Sequence, residues 1–215
     1  MKRCFLAFSA AAALAGGAPA AACSMAPGYR VPTALELAVK AEAIVIGTVE
    51  GEERQGDSSG DTTLRIRPDR LLKGAALPET VRMQGYLATR DMPATRSDPR
   101  ELFRVNPDAL SGGCNRYVFA RGMRLVLFLV RDKDGALSPW LPSFARAAED
   151  VPSDDALWVR AVRLYAEASA VPAKQRRAWL GARRAELLAR GDAESVLLAE
   201  DITRQISKKR LPPMD

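Results

Sequence analysis

The chain has 215 residues, 47% of them hydrophobic, and a formal charge of +6. It contains no histidine, which excludes Ser-His-Asp and Cys-His catalysis and every histidine-ligated zinc or copper site within the chain. Carboxylate, Lys, Tyr and Cys chemistry stay open, and so modest a positive charge does not call for a nucleic-acid partner.

Residues 1–22 read as a secretory signal. Lys2 and Arg3 precede an apolar stretch from Phe5 to Leu14, and Gly16 to Ala22 is rich in small residues. The stretch is too short for a permanent membrane span. Removing it takes two charges away and leaves +4. Three cysteines are present: Cys4, Cys23 and Cys114. Cys4 leaves with the signal, and Ala20-Ala21-Ala22 satisfies the A-x-A rule, so Cys23 becomes residue one of the mature chain. Two readings then compete. Cys23 and Cys114 form one disulfide, worth about 3–5 kcal/mol through loop entropy. Alternatively Cys23 is lipidated, which turns its sulfur into a thioether and anchors the chain to a membrane.

The pattern over 32–41 predicts a helix capped by Thr33, with Leu35, Leu37 and Val39 as apolar surface. "AIVIGTVEG" (43–51) predicts a buried strand with a bulge or tight bend at Gly47. Residues 51–61 read as a hairpin loop. Residues 62–74 alternate, Leu64 and Ile66 inward, until Pro68 interrupts, and residues 79–86 alternate again. The stretch 87–113 shows no strand, but Asp98 as N-cap, Pro99 and Glu101 predict a helix start. Arg124 to Val130 reads as a core strand, Asp134-Gly135 as a turn, and Ala136 to Trp140 as the return. Three amphipathic helices follow. They start at Ser153, Pro172 and Asp192, with stripes of Leu157, Ala161 and Leu164; Trp179, Leu180 and Leu187; and Leu198, Ile202 and Ile206.

Taken in order, these pieces resemble a known module. A cysteine follows the signal. Next come a helix, the strand "AIVIGTVEG", a strand ending "LLKG" and a strand ending "QGY". Cys114 then precedes "NRYVFARG", the strand "RLVLFLV" and the turn "DKDG". This resembles the netrin-like, or tissue-inhibitor-of-metalloproteinases-like, OB-fold module over about residues 23–145. The resemblance implies a mainly β fold over that stretch, a five-stranded barrel, and does not cover the C-terminal helices read from the apolar spacing. It also implies a disulfide between Cys23 and Cys114, and places Gly47 and Lys73-Gly74 on the family's Gly-Thr and Lys-Gly signatures. The inhibitors begin Cys-x-Cys and chelate a target's catalytic zinc through the first residue's amine and carbonyl. Here Cys23-Ser24-Met25 lacks the second cysteine. A zinc-contacting terminus would rest on Cys23 and Ser24 alone.

Other groupings read as structural. Glu50, Glu52, Glu53, Asp57 and Asp61 solvate a hairpin tip rather than form a calcium loop. Lys174, Arg176, Arg177, Arg183, Arg184 and Arg190 make a solvated basic helix rather than a lipid or lipopolysaccharide surface. Tyr86, Tyr117 and Phe119, and Trp140, Trp158 and Trp179, read as core rather than as a base-stacking platform.

The sequence therefore predicts a signal peptide (1–22), an OB-fold domain (23–150) and a helical tail (151–215). The expected function is a non-enzymatic binding or structural module of the cell envelope, periplasmic or extracellular, with no cofactor and no resident metal. Its partner would be an unidentified protein and, in the alternative, a metalloprotease. Contact with a membrane is expected only if Cys23 is lipidated.

Overall fold

A computed structural model describes residues 25–54 and 62–207. Among the described residues the fold is mixed α/β, with four α-helices and a mostly antiparallel set of eight strands. It opens on α1 (Ala34–Lys40), where Thr33 and Glu36 form a reciprocal capping box. The sheet strands are β1 (Ala43–Arg54), β2 (Thr62–Lys73), β3 (Val81–Gln84), β6 (Arg124–Arg131), β7 (Leu137–Pro139) and β8 (Ala148–Asp150). Their order is β3-β2-β1-β6-β7, with β8 also pairing β6. The two-residue strands β4 (Tyr86–Leu87) and β5 (Val118–Phe119) pair separately and in parallel.

β1 and β6 are buried on both faces. Val45, Val49, Leu125, Leu127 and Leu129 point into an apolar cluster inside the curved sheet, with Leu64, Ile66, Met83 and Phe119. Ile44, Ile46, Val126 and Phe128 face the opposite way, onto the helices. Gly47 provides the bend. The register of β1 against β2 shifts there, and a Cβ on Gly47 would sit 2.7 Å from Ile66 Cγ2 and 3.0 Å from the Arg67 carbonyl oxygen. Pro68 does not end β2. It stands opposite Gly47, beyond the stretch Thr63–Ile66 that pairs with β3, so its missing N–H costs no ladder bond on that side.

Two expectations about architecture need correction. The fold is mixed rather than mainly β, because the helices claim as large a share as the strands. The sheet is also not a closed five-stranded barrel. β3 and β7 approach within 8 Å between Cα atoms but do not pair. β3 stops at Gln84, and the chain turns at Gly85 to pair β4 with β5. β7 is three residues long and ends in Pro139, which has no N–H to donate.

The three later helices are α2 (Leu157–Ala170), α3 (Ala173–Arg190) and α4 (Ala193–Ser207). Leu157, Ala161, Leu180, Leu187, Leu198 and Ile202 are buried in one cluster with α1 and the outer faces of β1 and β6. Helix α2 starts four residues later than Ser153. Asp154 is held outside the helix by Arg124 and by Arg70 at 2.6 Å, while the Ser153 hydroxyl donates to Asp155 at 2.5 Å. Pro172 opens α3, and Gly191 closes it in the left-handed conformation. Asp192 accepts the Ser195 N–H at 2.9 Å at the start of α4.

The helix expected from Asp98 does not form. Asp98 accepts the Arg100 N–H at 2.8 Å, but the Glu101 carboxylate accepts from Phe103 rather than reaching back. Leu102 is drawn into the helix-side core instead, and the chain reaches a single 3-10 turn at Pro107–Leu110.

Candidate functional site

The long segment between β4 and β5 carries few apolar anchors, yet it is fixed in place. The fixing groups are ionic. Arg116 is 4% exposed, Arg146 5%, Glu149 1% and Asn106 2%. The Arg116 guanidinium donates to Asp150 at 2.7 Å and to the Thr95 carbonyl at 2.6 Å, and its plane lies 4.7 Å over the Phe119 ring. Glu149 accepts from the Ser97 hydroxyl at 2.6 Å and the Asn106 N–H at 3.1 Å. Arg146 approaches the same carboxylate at 3.6 Å and donates to the Arg104 carbonyl. Asn106 donates in turn to Thr95 and Ser97.

The reason for this placement is local. β8 pairs with β6 through Ala148, Glu149 and Asp150, so adjacent carboxylates are presented at fixed positions beside the long segment. Burial alone would raise the Asp150 carboxyl. The Arg116 charge and the Ser97 N–H outweigh burial and hold it below the usual carboxylate range. The clamp is a fixture whose carboxylates are turned on its own donors, although the Nε–H groups of Arg116 and Arg146 find no acceptor among the described residues.

Next to the clamp the backbone is unusual. Cys114 has φ 59 and Phe144 has φ 60, both in the left-handed region that non-glycine residues seldom adopt. The Phe144 N–H donates to the Cys114 carbonyl at 2.7 Å. A Cβ on Gly113 would sit 2.7 Å from the Tyr117 ring. Asp108 accepts both the Tyr117 and Val118 N–H groups, at 3.1 and 3.2 Å. The Tyr29 hydroxyl donates to the Ser143 carbonyl at 2.8 Å, which moors the segment before α1 beside the same turn. Leu110, 59% exposed, stands on the 3-10 turn of this surface.

Cys114 is disulfide-bonded. Cys23 and Ser24 lie outside the described residues, so the expected pairing and the expected zinc-contacting terminus do too. Lys73 and Gly74 have structural duties. Lys73 donates to the Ala38 and Ala41 carbonyls at 2.7 Å, closing the end of α1, and Gly74 packs on Ala43. Glu50 and Glu53 pair with Arg65, Arg67 and Arg82 across the strands, while Glu52 accepts the Leu87 N–H. Asp57 and Asp61 lie outside the described residues. Among the described residues no cluster of three or more His, Cys, Asp or Glu side chains could hold a metal. No helix there is long and apolar enough to cross a membrane.

On the basic helix α3, Arg176 donates to the Ala168 and Val171 carbonyls at the end of α2, Arg183 pairs with Glu186, and Arg184 donates to Thr203. Phe119 and Trp158 are buried, whereas Tyr86, Tyr117, Trp140 and Trp179 are half-buried. The clamp residues carry no local sequence signal. Arg116 and Asp150 lie 34 positions apart, and Asn106 and Glu149 lie 43 apart, so no periodicity or short motif joins them. No protein-family profile matches this sequence, and no curated protein matches it.

Proposed function

We propose that the chain is an exported, non-enzymatic binding module built on a netrin-like, OB-type sheet, and that it presents the surface around Cys114 to a protein partner of the cell envelope. One observation carries the reading. The long segment, the turn at Phe144 and the approach to α1 converge on Cys114, and buried ion pairs rather than loop entropy decide their position. A rigid loop surface on a sheet scaffold is the usual form of a recognition site. The signal-like residues 1–22 and the disulfide at Cys114 support an oxidising destination.

Site-directed photo-crosslinking in intact cells tests this. A photo-reactive residue at Leu110 is expected to give a discrete protein adduct, and one at exposed Arg177 on α3 is not. No adduct at Leu110, or the same adducts from both positions, would contradict the proposal.

A further inference from the structure

A small cavity lies where α1, α4 and the segment around Leu102 meet the buried end of α2. It holds about 40 Å³, room for a group of about three heavy atoms. Trp158 is 2% exposed, and its indole N–H, its single polar group, has no acceptor among the described residues. Arg146 lines the same cavity, and its Nε–H also lacks an acceptor, although its terminal nitrogens are engaged. Two buried donors without partners are costly, because each forgoes the hydrogen bond it makes in water.

No acceptor of the described residues lies within hydrogen-bond distance of either donor, and the side-chain oxygens of the lining point elsewhere. Gln205 Oε1 takes the Leu35 N–H at 3.2 Å, and the Thr33 hydroxyl takes the Glu36 N–H at 3.3 Å. Glu149 is engaged on the loop side by Ser97 and Asn106. Partly exposed Arg204 adds a second cation, its guanidinium 4.8 Å over the Phe103 ring and its Nε 3.4 Å from Asp201. Val31, Leu102 and Phe103 supply apolar wall. Two unpartnered donors, the guanidiniums of Arg146 and Arg204 (each also facing a carboxylate of the chain), an apolar wall and space for about three heavy atoms match one chemistry, a carboxylate group that fills the space on a short alkyl stem that leaves it along the wall.

We propose that this cavity binds a short aliphatic monocarboxylate, whose oxygens accept from the Trp158 indole N–H and the Arg146 Nε–H while its alkyl stem lies on Leu102 and Phe103. The site goes beyond the binding-module reading and does not rest on it. Crosslinking at Leu110 reports on a different surface, so either result stands if the other fails.

The test is a titration of the full mature chain with propionate at constant ionic strength, followed through the three indole N–H resonances. The Trp158 signal is expected to shift saturably, those of Trp140 and Trp179 to stay, and propionamide to bind about tenfold more weakly. Chloride and propylammonium are expected to do nothing. The Arg146 guanidinium lies 4.5 Å over the Trp158 ring, so Trp158→Phe keeps an aromatic ring beneath it and deletes the donor, and should abolish saturable binding. If that variant does not fold, Trp140→Phe and Trp179→Phe assign the Trp158 resonance by elimination. Arg204→Gln, at a partly exposed position, should weaken binding several-fold. No saturable shift at Trp158, an equal response to chloride, or a Trp158 N–H that keeps its contact to water throughout the titration would overturn the proposal. The last result would mean that the cavity holds water only.

Discussion

The two halves of this molecule are held by different physics. Around β1 and β6 both sheet faces are buried in hydrocarbon, and position is set by side-chain shape. Between β4 and β5 the chain is held by Arg116, Asp150, Glu149, Asn106 and Ser97, and position is set by paired charge and directed hydrogen bonds. The first mode tolerates substitutions that conserve volume. The second tolerates little, because removing one partner strands the other in a medium that solvates it poorly. The comparison teaches why the surface beside Cys114 can be rigid without regular secondary structure.

The largest effects should come from breaking each half at its centre. Arg116→Met leaves the half-buried Asp150 with only the exposed Arg96, at 3.5 Å, as a cation and should cost about 3 kcal/mol in urea unfolding at neutral pH. That cost should depend on pH. Asp150 titrates below its ordinary value in the folded chain, so its pairing is fully present above the unfolded-state value of about 3.9. It is lost as pH falls through the lower folded value, and the difference between wild type and Arg116→Met should shrink over that window. Comparing the two proteins is necessary because Asp201 runs the other way. Burial raises its carboxyl despite the bonds from Tyr165 and Arg204, so its contribution is present at low pH and lost as pH rises through the raised value.

Phe128→Ala should cost a similar amount, about 3–5 kcal/mol, but through an empty volume against the helices, and the cost should stay level from pH 7 to pH 3. If the pH profiles of the two variants coincide, the distinction between the halves fails. Gly47→Ala sharpens the same comparison within the sheet. Its new Cβ meets Ile66 and the Arg67 carbonyl, so about 1–3 kcal/mol of stability should be lost. The smallest effect is expected from Thr33→Ala. It removes half of the capping box on α1 and should lower the denaturation midpoint by the equivalent of about 1 kcal/mol.

These differences also explain what the sequence disclosed. Period-two and helical stripes are local consequences of burial, so β1, β2, β6 and α2 to α4 were legible, as was the bend at Gly47. The capping box at Thr33 was equally readable, because both partners lie within one turn. The motif at Asp98 offered the same cue, but tertiary demand on Leu102 and Asn106 overrode it. β8 escaped notice because three residues have no period, and with it went the carboxylates that build the clamp. Trp158 was readable as core. Its unpartnered N–H was not, since hydrogen-bond satisfaction depends on neighbours supplied from α4 and from the segment around Leu102.

The account turns on the claim that buried ion pairs hold the segment bearing Cys114. Amide hydrogen exchange on Arg116→Met against wild type addresses it most directly. The N–H groups of Ser97, Asn106, Tyr117 and Val118 should exchange much faster in the variant, while those of β6 keep their ranking as the slowest. Unchanged protection across 95–118, or a loss spread evenly over β6 and the helices, would contradict it.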